Sequence, residues 1–111
     1  MSDYAALRKE NAKVLRKLAK EVDLTRPVTI DFAATFPTRA QAKDAVSYIN
    51  RRAHRGGIRA RVVEVDGDFD CALSVRMVPD VNDITDIESV LAEASDRFDG
   101  YETMWDFAPD Q

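Results

Sequence analysis

Residues 28–78 decide the fold; they read VTIDFAATFPTRAQAKDAVSYINRRAHRGGIRARVVEVDGDFDCALSVRMV. Apolar side chains recur at every second position from Val28 to Phe36, which predicts a strand with one buried face. Thr38, followed three residues later by Gln41, forms a capping-box pattern. We therefore expect a helix to follow this strand and to run to about Arg55.

The same stretch continues with a predicted hairpin. Gly56-Gly57 ends the helix, because glycine accepts the left-handed conformation common at helix ends. Ile58–Val65 and Phe69–Val78 both have the composition and alternation of strands. Asp66-Gly67-Asp68 lies between them, and Asp-Gly is a strong signal for a tight hairpin turn.

Downstream of residue 78 the pattern predicts one more helix and one more strand. Asp83 is the expected cap of a helix from Ile84 to about Phe98, and Tyr101–Phe107 alternates as a final strand. The resulting order, β-α-β-β-α-β, is the ferredoxin-like arrangement. The predicted fold class is α+β, a four-stranded antiparallel sheet with two helices on one face.

A further helix precedes this unit. Residues Asp3–Val22 place apolar side chains at helical spacing, namely Leu7, Val14, Leu15, Leu18 and Val22. The other faces of the helix carry six basic residues, Arg8, Lys9, Lys13, Arg16, Lys17 and Lys20. We expect one domain overall, with this helix in residues 1–25 and the ferredoxin-like part in residues 26–111. The helix could cover a sheet edge, cover the open sheet face, or dock on a partner.

The charges are divided along the chain. Residues 1–61 have a net charge of +8 and residues 62–111 a net charge of −12, in agreement with the overall −4. The two halves could complement each other within the fold, or present a basic and an acidic face to partners. The acidic residues around the predicted hairpin, Glu64, Asp66, Asp68 and Asp70, similarly form either a solvated turn or an acidic docking patch.

Cysteine usage and hydropathy indicate the cellular compartment of the protein. Cys71 is the single cysteine, so no disulfide can form within the chain, and its apolar flanks predict a buried thiol. No run of about 18 apolar residues is present, and the N-terminus has no apolar signal core. We therefore expect a soluble, cytoplasmic protein.

The residues that catalysis or metal binding would need do not converge. His54 is the only histidine, whereas a zinc site needs three or four ligands in register. Ser47 is about two helical turns from His54, too far to share a proton. No glycine loop precedes a helix as a phosphate cradle would require. The sequence predicts a non-enzyme without metal or cofactor.

Two alternatives to a protein-binding role remain. The basic cluster of Arg51, Arg52, Arg55, Arg59 and Arg61 could hold nucleic-acid phosphates. Against it, the chain is acidic overall and the predicted open sheet face lacks aromatic residues on which bases would stack. The second alternative is a small-molecule sensor or an unusual enzyme on that face; it requires Asp31 and Arg76 to line one pocket.

The C-terminal stretch Phe98-Asp99-Gly100-Tyr101 is the most distinctive motif. It resembles the aromatic-Asp-Gly-aromatic turn of the ribonuclease E inhibitor family, also called regulator of ribonuclease activity B, and Thr103 matches a threonine that follows it there. The helix-first order and the glycine stop before the second strand are also similar. The similarity extends loosely over residues 28–107.

This resemblance implies a ferredoxin-like domain that binds the endonuclease and lowers its activity without catalysis of its own. The expected partner is thus a protein, an RNA-decay endonuclease or its scaffold; a homodimer formed through a sheet edge or face also stays open. Aromatic residues dominate binding hot spots, so the final strand is the candidate partner surface. The residues assigned to it are Asp99, Gly100, Tyr101, Glu102, Thr103 and Trp105. The same aromatic stripe could instead be core packing.

Overall fold

A computed structural model describes residues 4–52 and 59–108. In order, its elements are α1 (Tyr4–Leu18), β1 (Val28–Phe36), α2 (Arg39–Arg52), β2 (Arg61–Val65), β3 (Asp68–Met77), α3 (Val81–Arg97) and β4 (Glu102–Phe107). The four strands form one sheet in the order β2-β3-β1-β4, and every neighbouring pair is antiparallel. The predicted fold class, an N-terminal helix followed by a ferredoxin-like unit, is confirmed.

The centre of the fold is β1, which has the bounds predicted from its alternation. Ile30, Phe32 and Phe36 are almost completely buried. They face α2 and α3, which pack against the sheet from one side. Burying a large apolar side chain stabilises the fold by about 1.5–3 kcal/mol, so this face fixes the register of β1 against both neighbours.

The hairpin between β2 and β3 confirms the turn prediction. Asp66 has φ 51° and Gly67 has φ 87°. Positive φ at both central residues matches the right-handed twist of the flanking strands. The predicted start of β2 at Ile58 lies outside the described residues, and pairing begins at Arg61.

The two helix starts differ in how well the sequence predicted them. The Thr38 hydroxyl oxygen accepts a hydrogen bond from the Gln41 backbone N–H at 3.3 Å, as the capping-box pattern indicates. The prediction that Asp83 caps α3 is wrong, because Asp80 accepts the N–H groups of Asn82 and Asp83. The helix therefore starts at Val81, which packs against the core.

The end of α1 differs from the prediction, whereas the predicted end of α2 lies outside the described residues. The described part of α2 ends at Arg52; the predicted continuation to Arg55 and the stop at Gly56-Gly57 lie outside the described residues. The regular part of α1 ends at Leu18, although Val22 still packs against the core. Asp3, the predicted first residue of this helix, is likewise outside the described residues.

The N-terminal helix α1 packs against α3, so it docks within the chain. Its buried stripe contains Asn11 and Leu15, whereas Val14, which the apolar pattern assigned to that stripe, is 39% exposed. Tyr4 donates a hydrogen bond to Asp86 on α3, which joins the basic helix to an acidic one. None of the helices in the described ranges has the length and apolar character needed to cross a lipid bilayer.

Candidate protein-binding surface

The candidate segment begins at the turn between α3 and β4. Asp99 takes the left-handed conformation, with φ 60°. The Gly100 N–H then donates to the Ser95 carbonyl at 2.8 Å, the six-to-one bond of a Schellman motif. A Cβ on Gly100 would lie 2.8 Å from the Phe36 ring. The turn therefore needs glycine at position 100 because a side chain would not fit there. The residue in the left-handed conformation is Asp99.

Tyr101 is exposed, so this member of the aromatic stripe does not serve as core packing. It precedes β4, and its backbone N–H donates to the Thr35 carbonyl at 3.1 Å. Its side chain is 56% exposed. The hydroxyl group hydrogen-bonds to Asp68 at the same end of the sheet, and that bond raises the pKa of Tyr101 to about 12. The phenol ring is thus held at the sheet end by one acidic residue and remains accessible.

The strand β4 lies at one edge of the sheet and presents alternating faces. Thr103, Trp105 and Phe107 are half-buried on the helix side. The opposite face carries Glu102, Met104 and Asp106, all exposed, as the pairing with β1 requires. Met104 is 52% exposed, so Met104 and Tyr101 are the most exposed large hydrophobic side chains in the described ranges.

The half-buried side chain of Trp105 is hydrogen-bonded within the fold. Its indole N–H donates to Asn11 Oδ1 at 2.8 Å. The Asn11 amide in turn donates to Thr85 Oγ1 at 3.1 Å and to Glu88 Oε1 at 3.0 Å. Burial raises the pKa of Glu88, and the Asn11 hydrogen bond partly opposes this shift. This network joins β4, α1 and α3. The indole N–H of Trp105 is therefore hydrogen-bonded within the fold and is not available to a partner.

The open sheet face beside Tyr101 and Met104 is acidic. Strand register places five carboxylates on this face, Asp31, Asp68, Asp70, Glu102 and Asp106, and two arginines, Arg61 and Arg76. Exposed apolar side chains bordered by charged ones are a common feature of protein interfaces. The sign of the charge favours a basic partner surface.

The structure separates the predicted basic cluster. Arg51 and Arg52 occupy the last turn of α2 in the helix layer. Arg61 pairs with Ala72 on the open sheet face, in a depression that Asp31 and Asp70 also line. Arg59 is exposed before β2, and Arg55 lies outside the described residues. Arg61 therefore lies in a different layer from Arg51 and Arg52.

An arginine outside the predicted cluster lies beside the last turns of α2. Arg97, from the last turn of α3, lies 5.5 Å from the centre of the Tyr48 ring, and Arg52 lies 4.3 Å from it. The Tyr48 hydroxyl group donates to Glu93 at 3.2 Å. Sequence reasoning missed Arg97 because its position depends on how α2 and α3 pack.

The open-face alternative required Asp31 and Arg76 to line one pocket. The depression there is lined by Asp31 but not by Arg76, and Asp31 accepts a hydrogen bond from Ser74 at 2.6 Å. The Cys71 thiol is fully buried; burial, with a smaller effect from Asp70, raises its pKa to about 12. Across residues 4–52 and 59–108, no three His, Cys, Asp or Glu side chains are grouped as metal ligands would be.

Two residues important to this surface were not assigned to it from the sequence. Met104, on the exposed face of β4, had no predicted binding role; its position on an edge strand was the available signal. Asn11 interrupts the apolar stripe of α1 at a helix-facing position, four residues from both Leu7 and Leu15. A polar residue at such a position indicates a buried hydrogen-bonded contact.

Comparison with known proteins supplies the family. A family model described as regulator of ribonuclease activity B matches residues 8–106, from within α1 to the residue before the last one of β4. Searches of curated proteins and of solved structures returned no match. The family match covers the distinctive turn, the ferredoxin-like unit and most of the N-terminal helix. The chain therefore belongs to the regulator of ribonuclease activity B family.

Proposed function

We propose that this chain is a non-catalytic, cytoplasmic regulator that binds an RNA-degrading endonuclease of the ribonuclease E type and lowers its activity. Family membership supports the coarser role, regulation of a ribonuclease. The contact surface that we assign is Tyr101 and Met104 with the acidic open face beside them.

One observation carries this assignment. Among the described residues, the two most exposed large hydrophobic side chains are three positions apart on one edge of the sheet. Exposed apolar side chains grouped inside a polar surround are typical of interaction sites, whereas scattered ones are ordinary. Glu102 lies between them, and Asp99 is exposed at the preceding turn, so both belong to the surround.

The proposed mechanism is masking. A rigid sheet edge that binds the endonuclease or its scaffold would block access or hold the enzyme in a less active arrangement. The chain itself needs no reacting group for this role. Gly100, Thr103 and Trp105 act indirectly, because they hold the strand that presents Tyr101 and Met104.

The test is a binding and inhibition assay with purified ribonuclease E and a fluorogenic RNA substrate. We expect the chain to slow cleavage and to bind the enzyme in calorimetry. Tyr101→Ala combined with Met104→Ala should weaken binding by roughly 10-fold or more, as the loss of a hot spot does. The control is Val78→Ala, because Val78 is 48% exposed in the loop before α3, and its affinity should stay within about 3-fold.

Two results would contradict this proposal. The first is an absence of binding to the endonuclease by the unaltered chain. The second is an equal loss of affinity for the double variant and the Val78 control. Circular dichroism of each variant checks that the fold is retained.

A further inference from the structure

The exposed side of α1 carries a stripe of cations that the proposed function does not use. Lys13, Arg16, Lys17 and Lys20 together line one shallow groove. All four side chains are exposed. Lys13, Arg16 and Lys17 are three and four residues apart, which places them on one side of α1, and Lys20 lies in the turn directly after the helix.

This cationic stripe faces directly away from the protein. Asn11 and Leu15, the buried residues of α1, lie on the opposite side of the helix. The hydrogen bonds from Tyr4 to Asp86 and from Arg8 to Asn82 fix α1 on α3. The docked helix therefore holds the stripe outward in one orientation.

Folding alone does not account for the stripe. Lys13 has an ion pair with Glu10, at 3.7 Å between exposed atoms, but Arg16, Lys17 and Lys20 form no ion pair with the described residues. Like charges three and four residues apart destabilise a helix. The helix dipole favours Arg16 and Lys17 in the last turn, but it does not explain Lys13, more than one turn before the helix end.

We propose that the cationic stripe of α1 binds the phosphate backbone of RNA. Because β4 and the acidic face lie on other surfaces, the chain would contact RNA and the ribonuclease at once. The inference rests on the proposed function only in its choice of RNA among polyanions. A row of lysines and arginines supplies the sequence-independent part of nucleic-acid binding.

The composition of the helix narrows the ligand further. The stripe contains no aromatic residue, so bases have no stacking surface and binding should show no sequence preference. A membrane-surface helix would need a free apolar side to insert into lipid. In α1 that side is already packed against α3, through Leu15 and the Asn11 hydrogen bonds.

The experiment measures fluorescence anisotropy of a labelled single-stranded RNA of about 10 nucleotides, within the usual range of single-strand site sizes. The unaltered chain is titrated without any ribonuclease. Four phosphate contacts predict a slope of about −2.8 in log affinity against log salt, and therefore roughly a 50-fold loss between about 50 and 200 mM salt. Lys17→Ala with Lys20→Ala should halve this slope.

The matched control removes the same charge elsewhere. Arg51→Ala with Arg52→Ala takes two positive charges from the end of α2 and should leave most of the RNA affinity. An absence of binding at about 50 mM salt, where phosphate contacts are strong, would overturn the proposal. So would an equal or larger loss in the control pair, or binding to phosphatidylserine vesicles in preference to RNA. Because no ribonuclease is present, failure here leaves the proposed ribonuclease contact standing.

Discussion

At the turn between α3 and β4, Asp99 and Gly100 have roles opposite to those usual for an Asp-Gly pair, and substitutions can test this. At such a turn glycine is normally required for the left-handed conformation. Here the left-handed residue is Asp99, and Gly100 is required for space. Asp99→Gly should therefore be harmless or stabilising, and Gly100→Ala should be destabilising.

The magnitude follows from what a Cβ on Gly100 would meet. It would lie 2.6 Å from Ser95 Oγ, 2.8 Å from Phe36 Cε2 and 3.0 Å from the Thr35 carbonyl oxygen. The serine hydroxyl can rotate away, but Phe36 is fully buried and the Thr35 carbonyl accepts the Tyr101 N–H. Overpacking of this kind costs about 1–3 kcal/mol.

Asp99→Gly removes a different cost. Asp99 with φ 60° is held in a conformation that L-residues adopt at a penalty, though aspartate tolerates it better than most. Glycine has no such penalty but loses more backbone entropy on folding. We expect a change between zero and a gain of about 1 kcal/mol.

Urea unfolding followed by circular dichroism measures both variants against the parent chain. Gly100→Ala should lower the unfolding midpoint, and Asp99→Gly should leave it unchanged or raise it. If Gly100→Ala is as stable as the parent, or Asp99→Gly loses more stability than Gly100→Ala, the role assigned to space at this turn is refuted.

Three further predictions concern buried groups. Asn11→Ala should cost roughly 2–5 kcal/mol of unfolding free energy, because it leaves the Trp105 N–H and the Glu88 carboxyl group without their partner; a urea titration showing less than about 1 kcal/mol would contradict this. Glu88→Gln should stabilise the protein at pH 7, because burial raises the folded-state pKa of Glu88 above its ordinary 4.5. The stability that the protonated carboxyl group contributes is fully present below pH 4.5 and is lost as the pH rises through the folded pKa. Thermal unfolding between pH 4 and 8 should show the advantage of the variant growing with pH, and a constant difference would be evidence against it. Cys71 should resist iodoacetamide at pH 8 until the protein is unfolded in urea, because burial raises its pKa to about 12; rapid labelling of the folded chain would show that the thiol is accessible.

Much of the fold could be predicted from local patterns. The alternation of β1, the positive-φ turn at Asp66-Gly67 and the Thr38 cap depend on neighbouring residues, and the structure confirms all three. Predictions of helix limits were less successful. Asp80 and Asp83 are both residue types that cap helices, and in the structure Asp80 accepts the N–H groups of Asn82 and Asp83.

The candidate surface was less predictable than the fold. The stretch 99–105 was identified from its motif, but alternation alone placed Tyr101 with Trp105, whereas the structure exposes the tyrosine and buries the tryptophan N–H. Which side chain is free depends on what packs beside the edge strand. Here α3 packs beside β4, and the Trp105 N–H bonds Asn11 of α1, which is more than 80 residues away in sequence.

The sequence by itself determined the element types, the buried face of β1, the antiparallel ferredoxin-like order and the resemblance to the family. These follow from periodicity and turn chemistry, which act over a few residues. Only the tertiary structure decided that Asn11 joins three elements, that Arg97 meets Tyr48, and that the cationic stripe of α1 faces outward. Those features depend on the docking of helices distant along the chain, because a polar or charged side chain can be assigned a partner only when its neighbours in space are known.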